Sequence, residues 1–303
     1  MAQIALAAEC PTPGPVRLML HEPDVLAGRL THLGKAPETP AGRVAALREL
    51  FEAAACPQLA LQGEGDRRSL ECLVRGASDD VIVVGANQFY DSLGSVALLP
   101  SLVEALAAAP RKHTFRFVAF SAHESVGDRV NRVQKPKGAM RLIDALSASE
   151  RSRVRAMIHI GPMGYGALSS HPGQAEDGLA CAFQQAARAA RLEIAAESSL
   201  SSDCLKGGSS PQGAGNAFFQ CRPGTDWTGG KEWEPFRRVG IPVFGIHSSA
   251  ATGFSGNIDP ALYVKSYRAL AIFLALADDA LAAAPASPGT NEAPESAAAT
   301  STR

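Results

Sequence analysis

The stretch Val81-Ile-Val-Val-Gly-Ala-Asn87-Gln-Phe-Tyr-Asp91-Ser-Leu-Gly-Ser-Val-Ala-Leu-Leu99 decides the fold of this chain. It begins with a β-branched run, which is typical of a strand buried on both faces. An acidic turn then leads into a helix predicted over residues 94–108. A second stretch, Phe115-Arg-Phe-Val-Ala-Phe-Ser-Ala-His-Glu124, is another apolar strand that ends in polar residues. The carboxylates of Asp91 and Glu124 thus follow the ends of these two strands. Ligands and metals are held at this edge of an open α/β sheet.

The rest of the chain continues this alternation of strands and helices. Apolar residues at helical spacing predict helices over residues 41–55, 140–146, 176–192 and 259–280, the last with Asp259 as its N-cap. Further strands are predicted over residues 58–62, 68–75, 114–120, 154–160, 194–196 and 241–246. The first two of these form a short antiparallel pair. Alternation of this kind predicts a largely parallel sheet with helices on both faces.

The chain divides into three parts by composition. Residues 1–38 are predicted to be an N-terminal lead-in, loose or with a single edge strand, and residues 39–281 form one α/β domain. Residues 282–303 are rich in Ala, Pro, Ser and Thr and have too little apolar surface to order, which predicts a disordered tail. Within the domain, residues 198–232 show little periodicity, which is typical of a functional or disordered loop.

Charge and motifs exclude several classes of function. The net charge of −1 gives no reason to expect nucleic acid or an anionic membrane as a partner. The sequence has no Gly-x-Ser-x-Gly elbow of a serine hydrolase and no phosphate-binding Gly-x-x-x-x-Gly-Lys-Ser/Thr loop.

The six cysteines are widely scattered and include no Cys-x-x-Cys pair. The first ten residues lack the basic segment of a signal peptide, and Glu9 interrupts their apolar run. We therefore expect reduced thiols and a cytoplasmic location.

The two opening stretches, together with Ala156–Gly164 and Pro235–Pro242, resemble the bacterial zinc aminopeptidases of metallopeptidase family twenty-eight, kin of the glutaminyl cyclases. That family shows a strand ending in Gly-Ala-His, an Asp that opens a helix and a strand ending in Glu-Glu. A strand ending in a metal-binding Asp, a Phe-x-x-x-Gly-Ile-Pro segment and a late His follow. The resemblance covers residues 40–280 and implies a three-layer α/β/α zinc-exopeptidase-like fold with a mixed, mostly parallel central sheet.

Several metal-binding positions of the family pattern are replaced. Asn87 stands in place of the first metal-binding His, and Gly161 in place of the metal-binding Asp of the third strand. Glu232-Trp233 stands where the family often has Asp-His. A neutral amide and a missing side chain cannot replace an imidazole and a carboxylate as zinc ligands, so one of two metal positions is predicted to be lost.

What remains implies at most one zinc ion, held by Asp91, Glu124 and His247. The resemblance also implies that His123 replaces the glutamate general base, and an imidazole can act as a base near neutral pH. His247 is ambiguous as a ligand because it directly follows a predicted strand, whereas the family has a longer loop before its metal-binding His.

Each of these residues also has a structural interpretation. Asp91 can be a helix N-cap, His123 and Glu124 can end a solvated strand, and His159, between apolar neighbours, is interpreted as a core histidine. Two functions therefore stay open. One is a zinc hydrolase of peptides or amino-acid derivatives with one metal ion, and the other is an inactive pseudopeptidase that binds a peptide or a partner protein.

Overall fold

The apolar runs that predict buried strands form the centre of a seven-stranded mixed sheet. The computed structural model describes residues 10, 12–65, 68–88, 93–121, 124–126, 133–172, 177–195, 232–249 and 257–283. The strands in chain order are β1 (Leu59–Gln62), β2 (Ser69–Val74), β3 (Val81–Asn87), β4 (Thr114–Phe120), β5 (Glu124–Val126), β6 (Val133–Lys135), β7 (Val154–Ile160), β8 (Ala167–Pro172) and β9 (Val243–Ser249). Strands β5 and β6 form a separate antiparallel pair.

The main sheet has the strand order β1-β2-β4-β3-β7-β9-β8. Strand β3 pairs in parallel with β4 and β7, and β7 pairs in parallel with β9, whereas β1, β2 and β8 join antiparallel. The carboxyl ends of β4, β3, β7 and β9 therefore meet at one edge of the sheet, which we call the carboxyl edge. The opposite end of these four strands is the amino edge.

Helices cover both faces of the sheet, as parallel strands require. They are α1 (Pro23–Gly34), α2 (Pro40–Ala53), α3 (Leu93–Ala107), α4 (Lys137–Ala145), α5 (Ala148–Ser152), α6 (Asp177–Ala189), α7 (Glu234–Arg238) and α8 (Pro260–Ala283). The larger apolar core joins one face to α1, α2, α3, α6 and α8. A smaller core joins the other face to α4 and α7, and we call this side of the sheet the α4/α7 face.

Helix α8 closes the larger core. By length and composition alone it could cross a membrane, but 67% of its most apolar window is buried inside the fold. Its Phe273 stacks on Phe244 of β9 with the ring centroids 5.3 Å apart. The helix begins as predicted, because the Asp259 carboxylate accepts hydrogen bonds from the Ala261 and Leu262 N–H groups. Helix α8 is thus a core element of this fold.

The structure differs from the sequence prediction in several elements, and the short elements α5, α7, β5 and β6 are not among the predicted ones. Helix α1 falls inside the predicted lead-in, yet its Leu26 and Leu33 are buried in the larger core. Strand β8 was not predicted. The strand predicted over residues 194–196 is reduced to a single bridge from Ile194 to Leu168 of β8. The first two residues of the predicted tail, 282–303, belong to α8 instead, and residues 284–303 lie outside the described residues.

The prediction of reduced cysteines is wrong for four of the six. Cys10 is bonded to Cys181, and Cys56 is bonded to Cys72. Scattered spacing carries no information about pairing, because the partners meet only after the chain has folded. Cys204 and Cys221 lie outside the described residues. The cytoplasmic location loses its support from the cysteines and stays a prediction.

A buried carboxylate ties α8 to the amino edge. Asp278 accepts hydrogen bonds from the Lys112 and His113 backbone N–H groups, both at 2.9 Å, and lies 2.8 Å from Nδ1 of His113. Burial raises the pKa of Asp278, but these hydrogen bonds outweigh it and hold the pKa below the ordinary 3.8. The turn before β4 is thereby fixed to the last helix.

We expect Asp278→Asn to lower the free energy of unfolding by about 1–3 kcal/mol at neutral pH, because buried donors lose a charged acceptor. A carboxyl group whose folded-state pKa is lowered stabilises the fold above its unfolded pKa, and that contribution is lost as the pH falls through the folded-state value. The difference from the wild type should therefore shrink below about pH 4. Urea unfolding across pH measures it. The control is Asp279→Asn, since the Asp279 side chain is 48% exposed, and an equal loss in both variants would contradict the assignment.

We expect the Cys56→Ser/Cys72→Ser double variant to lose about 3 kcal/mol, the value for a loop of about 15 residues in the unfolded chain. The bond spans a sequence separation of 16 residues and joins the segment after α2 to β2. Urea unfolding of both proteins gives the difference, and a non-reducing peptide map checks the pairing. Free thiols at Cys56 and Cys72 in that map would contradict the bond.

Candidate functional site

The carboxyl edge begins at the end of β3. Asn87 is buried there and pairs in register with Phe120, the last residue of β4. The amide nitrogen of Gln88, the next residue, donates to the carbonyls of Ala119 at 2.8 Å and Arg68 at 3.2 Å. The Gln88 carboxamide therefore holds backbone segments together, and its donors are used inside the protein.

The first turn of α3 is fixed to the end of β7. The buried Ser95 hydroxyl donates to the Gly161 carbonyl, directly after β7. The Tyr263 hydroxyl of α8 donates to the Gly94 carbonyl at 2.8 Å. Burial raises the pKa of Tyr263, so the phenol remains a neutral donor. The helix that follows the acidic turn thus starts at a defined place on the carboxyl edge.

Gly161 and His247 are in close contact across the ends of β7 and β9. The Gly161 N–H donates to the Ile246 carbonyl at 2.7 Å. A Cβ atom added at Gly161 would lie 2.9 Å from Cβ of His247, which is closer than real Cβ contacts. The position predicted for a metal-binding Asp therefore lacks a side chain and has no room for one while β9 stays where it is.

The segment after β7 is bound to the end of β9. The Pro162 carbonyl accepts from the Ser248 N–H at 2.8 Å and from its hydroxyl at 3.0 Å, and that hydroxyl also accepts from the Tyr165 N–H at 3.0 Å. Gly164, with a φ of +89°, takes the left-handed conformation that suits glycine. These contacts set the position of His247, the neighbour of Ser248.

His247 lies inside β9, opposite Ser169 of β8, and is half-buried. Side chains alternate between the two faces of a strand. Met157 and Val243 belong to the smaller core, whereas Ile158 and Phe244 belong to the larger one. His159 and His247 therefore both lie on the α4/α7 face near the carboxyl edge.

His159 lies next to a buried carboxylate. Its Nε2 atom is 3.2 Å from Oε2 of Glu232, and the two side chains are 15% and 1% exposed. The Nε2 atom is buried without an aligned hydrogen bond in the described part of the chain. Buried carboxylates are costly unless a charged or hydrogen-bonding partner offsets them. The imidazole supplies such a partner.

Glu232 is held in place by α7. Trp233, the next residue, and Phe236 are buried in the smaller core, and Phe236 meets Phe120 of β4 edge to face at 6.3 Å. The Arg237 guanidinium lies 5.5 Å from the Trp233 ring centroid, within the range of a cation–π contact. Glu232 therefore lies next to residues that are fixed in the smaller core.

The predicted site residues are placed as follows. Asp91 and His123 lie outside the described residues, and so does the predicted loop 198–232 except for its last residue, Glu232. Glu124 begins β5 and pairs with Lys135, but only its backbone is described. His247 is at the carboxyl edge. Among the residues that the structure describes, no group of three or more His, Cys, Asp or Glu side chains is arranged to hold a metal ion.

Sequence reasoning missed the pair of His159 and Glu232. The alternation in β7 shows that His159 and Met157 share a face, but it does not show which face or which partner. Glu232 is distant in the sequence and is brought close by α7. The one available signal was that an acidic residue, Glu232, occupies a position at which the resembled family often has Asp.

Solved structures share this fold at low sequence identity. A glutaminyl cyclase from Fimbriiglobus ruber aligns with a TM-score of 0.59 at 13% identity, over 89% of this chain and 99% of its own. The LapA aminopeptidase of Legionella pneumophila aligns with a TM-score of 0.59 at 12% identity, over 85% of this chain and 71% of its own. The predicted mixed α/β fold of zinc aminopeptidases and glutaminyl cyclases is thus confirmed.

Other comparisons give a weaker structural match or no match. The chain spans 49% of the length of a zinc aminopeptidase from Bacillus subtilis, over 68% of its own, with a TM-score of 0.47 and 12% identity. No protein-family model matches the chain. No curated protein sequence matches it.

We expect Gly161→Ala to lower the free energy of unfolding by about 1–3 kcal/mol, the usual effect of overpacking. The control is Gly28→Ala in α1, where an added Cβ meets nothing within 4 Å. That variant should gain about 0.4–1 kcal/mol because alanine restricts the unfolded chain. Urea unfolding measures both changes. A Gly161→Ala protein as stable as the wild type would show that β9 yields easily at His247.

Proposed function

We propose that this protein is an aminopeptidase-like hydrolase of peptides or amino-acid derivatives that has one metal position instead of two. The observation that carries this proposal is the contact at the carboxyl edge, where Cβ of His247 occupies the space beside Gly161. A fold neighbour named as an aminopeptidase supports the reaction class. The near-neutral charge supports a peptide or aminoacyl partner over nucleic acid.

The second metal position would need ligands that these residues do not offer. Asn87 is buried and carries a neutral amide. Gly161 has no side chain, and the distance of 2.9 Å to His247 leaves no room for one. A pair of metal ions about 3.5–4 Å apart needs ligands for both ions and a bridging carboxylate. The residues do not fit a binuclear site.

The first metal position would use Asp91, Glu124 and His247. Of these three, His247 is the residue whose side chain the structure describes, and its place on the α4/α7 face at the carboxyl edge supports the assignment. A zinc ion held by three protein ligands would lower the pKa of a bound water. His123 is the base that the sequence resemblance implies.

The second candidate is a pseudopeptidase that binds a peptide or a partner protein without cleaving it. Two observations favour it. Both Asn87 and Gly161 replace metal-binding residues of the resembled family, and the amide donors of the adjacent Gln88 are used on backbone carbonyls. A binding protein needs the cleft of the fold but none of its metal ligands.

Zinc content and turnover separate the two candidates. We expect the purified protein, reconstituted with zinc and dialysed, to hold about one zinc ion per chain by elemental mass spectrometry. Asp91→Ala and His247→Ala should lose that ion. His32→Ala, an exposed histidine on α1, is the control and should keep it. Turnover is measured with aminoacyl-nitroanilides and with peptides that begin with glutamine, because the fold neighbours include enzymes of both names.

The outcomes are distinct. One zinc ion with hydrolysis of an aminoacyl-nitroanilide, or of the first peptide bond of the glutamine peptide, supports the hydrolase, whereas cyclisation of the glutamine without peptide cleavage would contradict it. Two zinc ions per chain would contradict the loss of the second position. Neither zinc nor turnover would overturn the hydrolase and leave the binding protein as the function to test.

A further inference from the structure

In the described part of the chain, two carboxylate–histidine pairs have a carboxylate side chain that is at most 5% exposed, and their positions differ in a way that bears on function. In the first pair, Nδ1 of His113 lies 2.8 Å from Asp278, and both side chains are at most 5% exposed. Its carboxylate also holds two backbone N–H groups. In the second pair, His159 is 15% exposed while Glu232 is 1% exposed.

The two pairs lie at opposite ends of the parallel strands. His113 directly precedes β4 and sits at the amino edge, where it fastens α8. His159 is the penultimate residue of β7 and sits next to the carboxyl edge. Ligands of open α/β sheets bind outside the carboxyl ends of the strands. The first pair is therefore structural, whereas the second has the position of a functional group.

The chemistry of the second pair suits proton transfer. Nε2 of His159 is buried against Glu232, so the exposed fraction belongs to the rest of the side chain. In a neutral imidazole one ring nitrogen is a donor and the other an acceptor. A neutral His159 with its proton on Nε2, the nitrogen 3.2 Å from Glu232, has on Nδ1 the lone pair that accepts a proton. The carboxylate then lies where it offsets the charge of an imidazolium, as in carboxylate–histidine catalytic units.

His159 is also close to the proposed metal ligand. It pairs with Gly245 across β7 and β9, and His247 is two residues further along β9 on the same face. Neighbouring strands are about 4.8 Å apart and two residues rise about 6.6 Å, so the two Cα atoms are about 8 Å apart. A substrate held at His247 is thus within reach of the His159 ring.

We propose that His159 is the proton-transferring residue of this cleft and that Glu232 is its positioning residue. The inference rests on the proposed hydrolase function but assigns the base to His159 in place of His123, the base that the sequence resemblance implies. Nδ1 of His159 takes a proton from water as the water oxygen bonds to the scissile carbonyl carbon. The imidazolium returns that proton to the amide nitrogen as the C–N bond breaks, which leaves a carboxyl group and an amine and consumes one water.

The test uses full-length, zinc-reconstituted protein and three variants. His159→Gln should lower kcat by about 10²–10⁴, the usual contribution of general acid–base catalysis, while KM and zinc content stay unchanged. Glu232→Gln keeps the shape of the side chain and should lower kcat by about 10–100-fold, as loss of an orienting partner does. Added imidazole should restore part of the activity of His159→Gly, which a purely structural role would not allow.

The chain offers a matched control for this pair. His32 and Glu49 also form a histidine–glutamate contact, at 3.1 Å, but their side chains are 43% and 66% exposed on α1 and α2. His32→Gln should leave kcat unchanged. Circular dichroism and thermal unfolding check that each variant folds, and the isosteric Glu232→Gln carries the test if His159→Gln does not fold.

The results that would overturn the inference are separable from those that would overturn the proposed function. The first result is a wild type that turns over substrate and a folded His159→Gln variant whose kcat is within threefold of the wild-type kcat. It would overturn the role of His159 and leave the hydrolase proposal intact. The same holds for a folded Glu232→Gln at wild-type kcat. Absence of turnover in the zinc-loaded wild type would overturn both proposals.

Discussion

Parallel pairing of β4, β3, β7 and β9 is the constraint on which the core and the candidate site both depend. Parallel strands must be covered on both faces, and the apolar runs of β3 and β7 meet that need by packing into two separate cores. The same pairing sends the carboxyl ends of four strands to one edge. Residues from distant parts of the chain, such as Asn87 and His247, are therefore gathered there.

The amino edge and the carboxyl edge of the parallel strands differ in the contacts that fix them. At the amino edge, Asp278 accepts hydrogen bonds from two backbone N–H groups and contacts one imidazole. These contacts fix the turn before β4. At the carboxyl edge, backbone contacts of Gly161 and Ser248 fix the strand ends, while His159 and His247 remain partly exposed. A buried carboxylate thus fixes the amino edge, whereas the carboxyl edge combines fixed strand ends with polar side chains that can meet a ligand.

The sequence predicts the strands and main helices well, because each depends on local apolar spacing. Strands β4 and β7 have the predicted bounds, and the N-cap of α8 is the predicted Asp259. The misses depend on tertiary contacts. The cysteine pairs, strand β8 and the core position of α1 are fixed by distant partners. The contact between His159 and Glu232 was missed for the same reason, since Glu232 reaches His159 only through the packing of α7.

The crowding of Gly161 by His247 also restricts the mutational paths open to this chain. A single substitution of Gly161 by a metal-binding residue would strain the end of β9 before it could add a ligand. Only glycine at 247 would remove the contacting Cβ atom, and it would also remove the candidate ligand. Each order of steps to a second metal site therefore passes through a strained intermediate or one that has lost a ligand. Glycine at 161 is thus expected to persist for as long as residue 247 keeps a Cβ atom and β9 keeps its place.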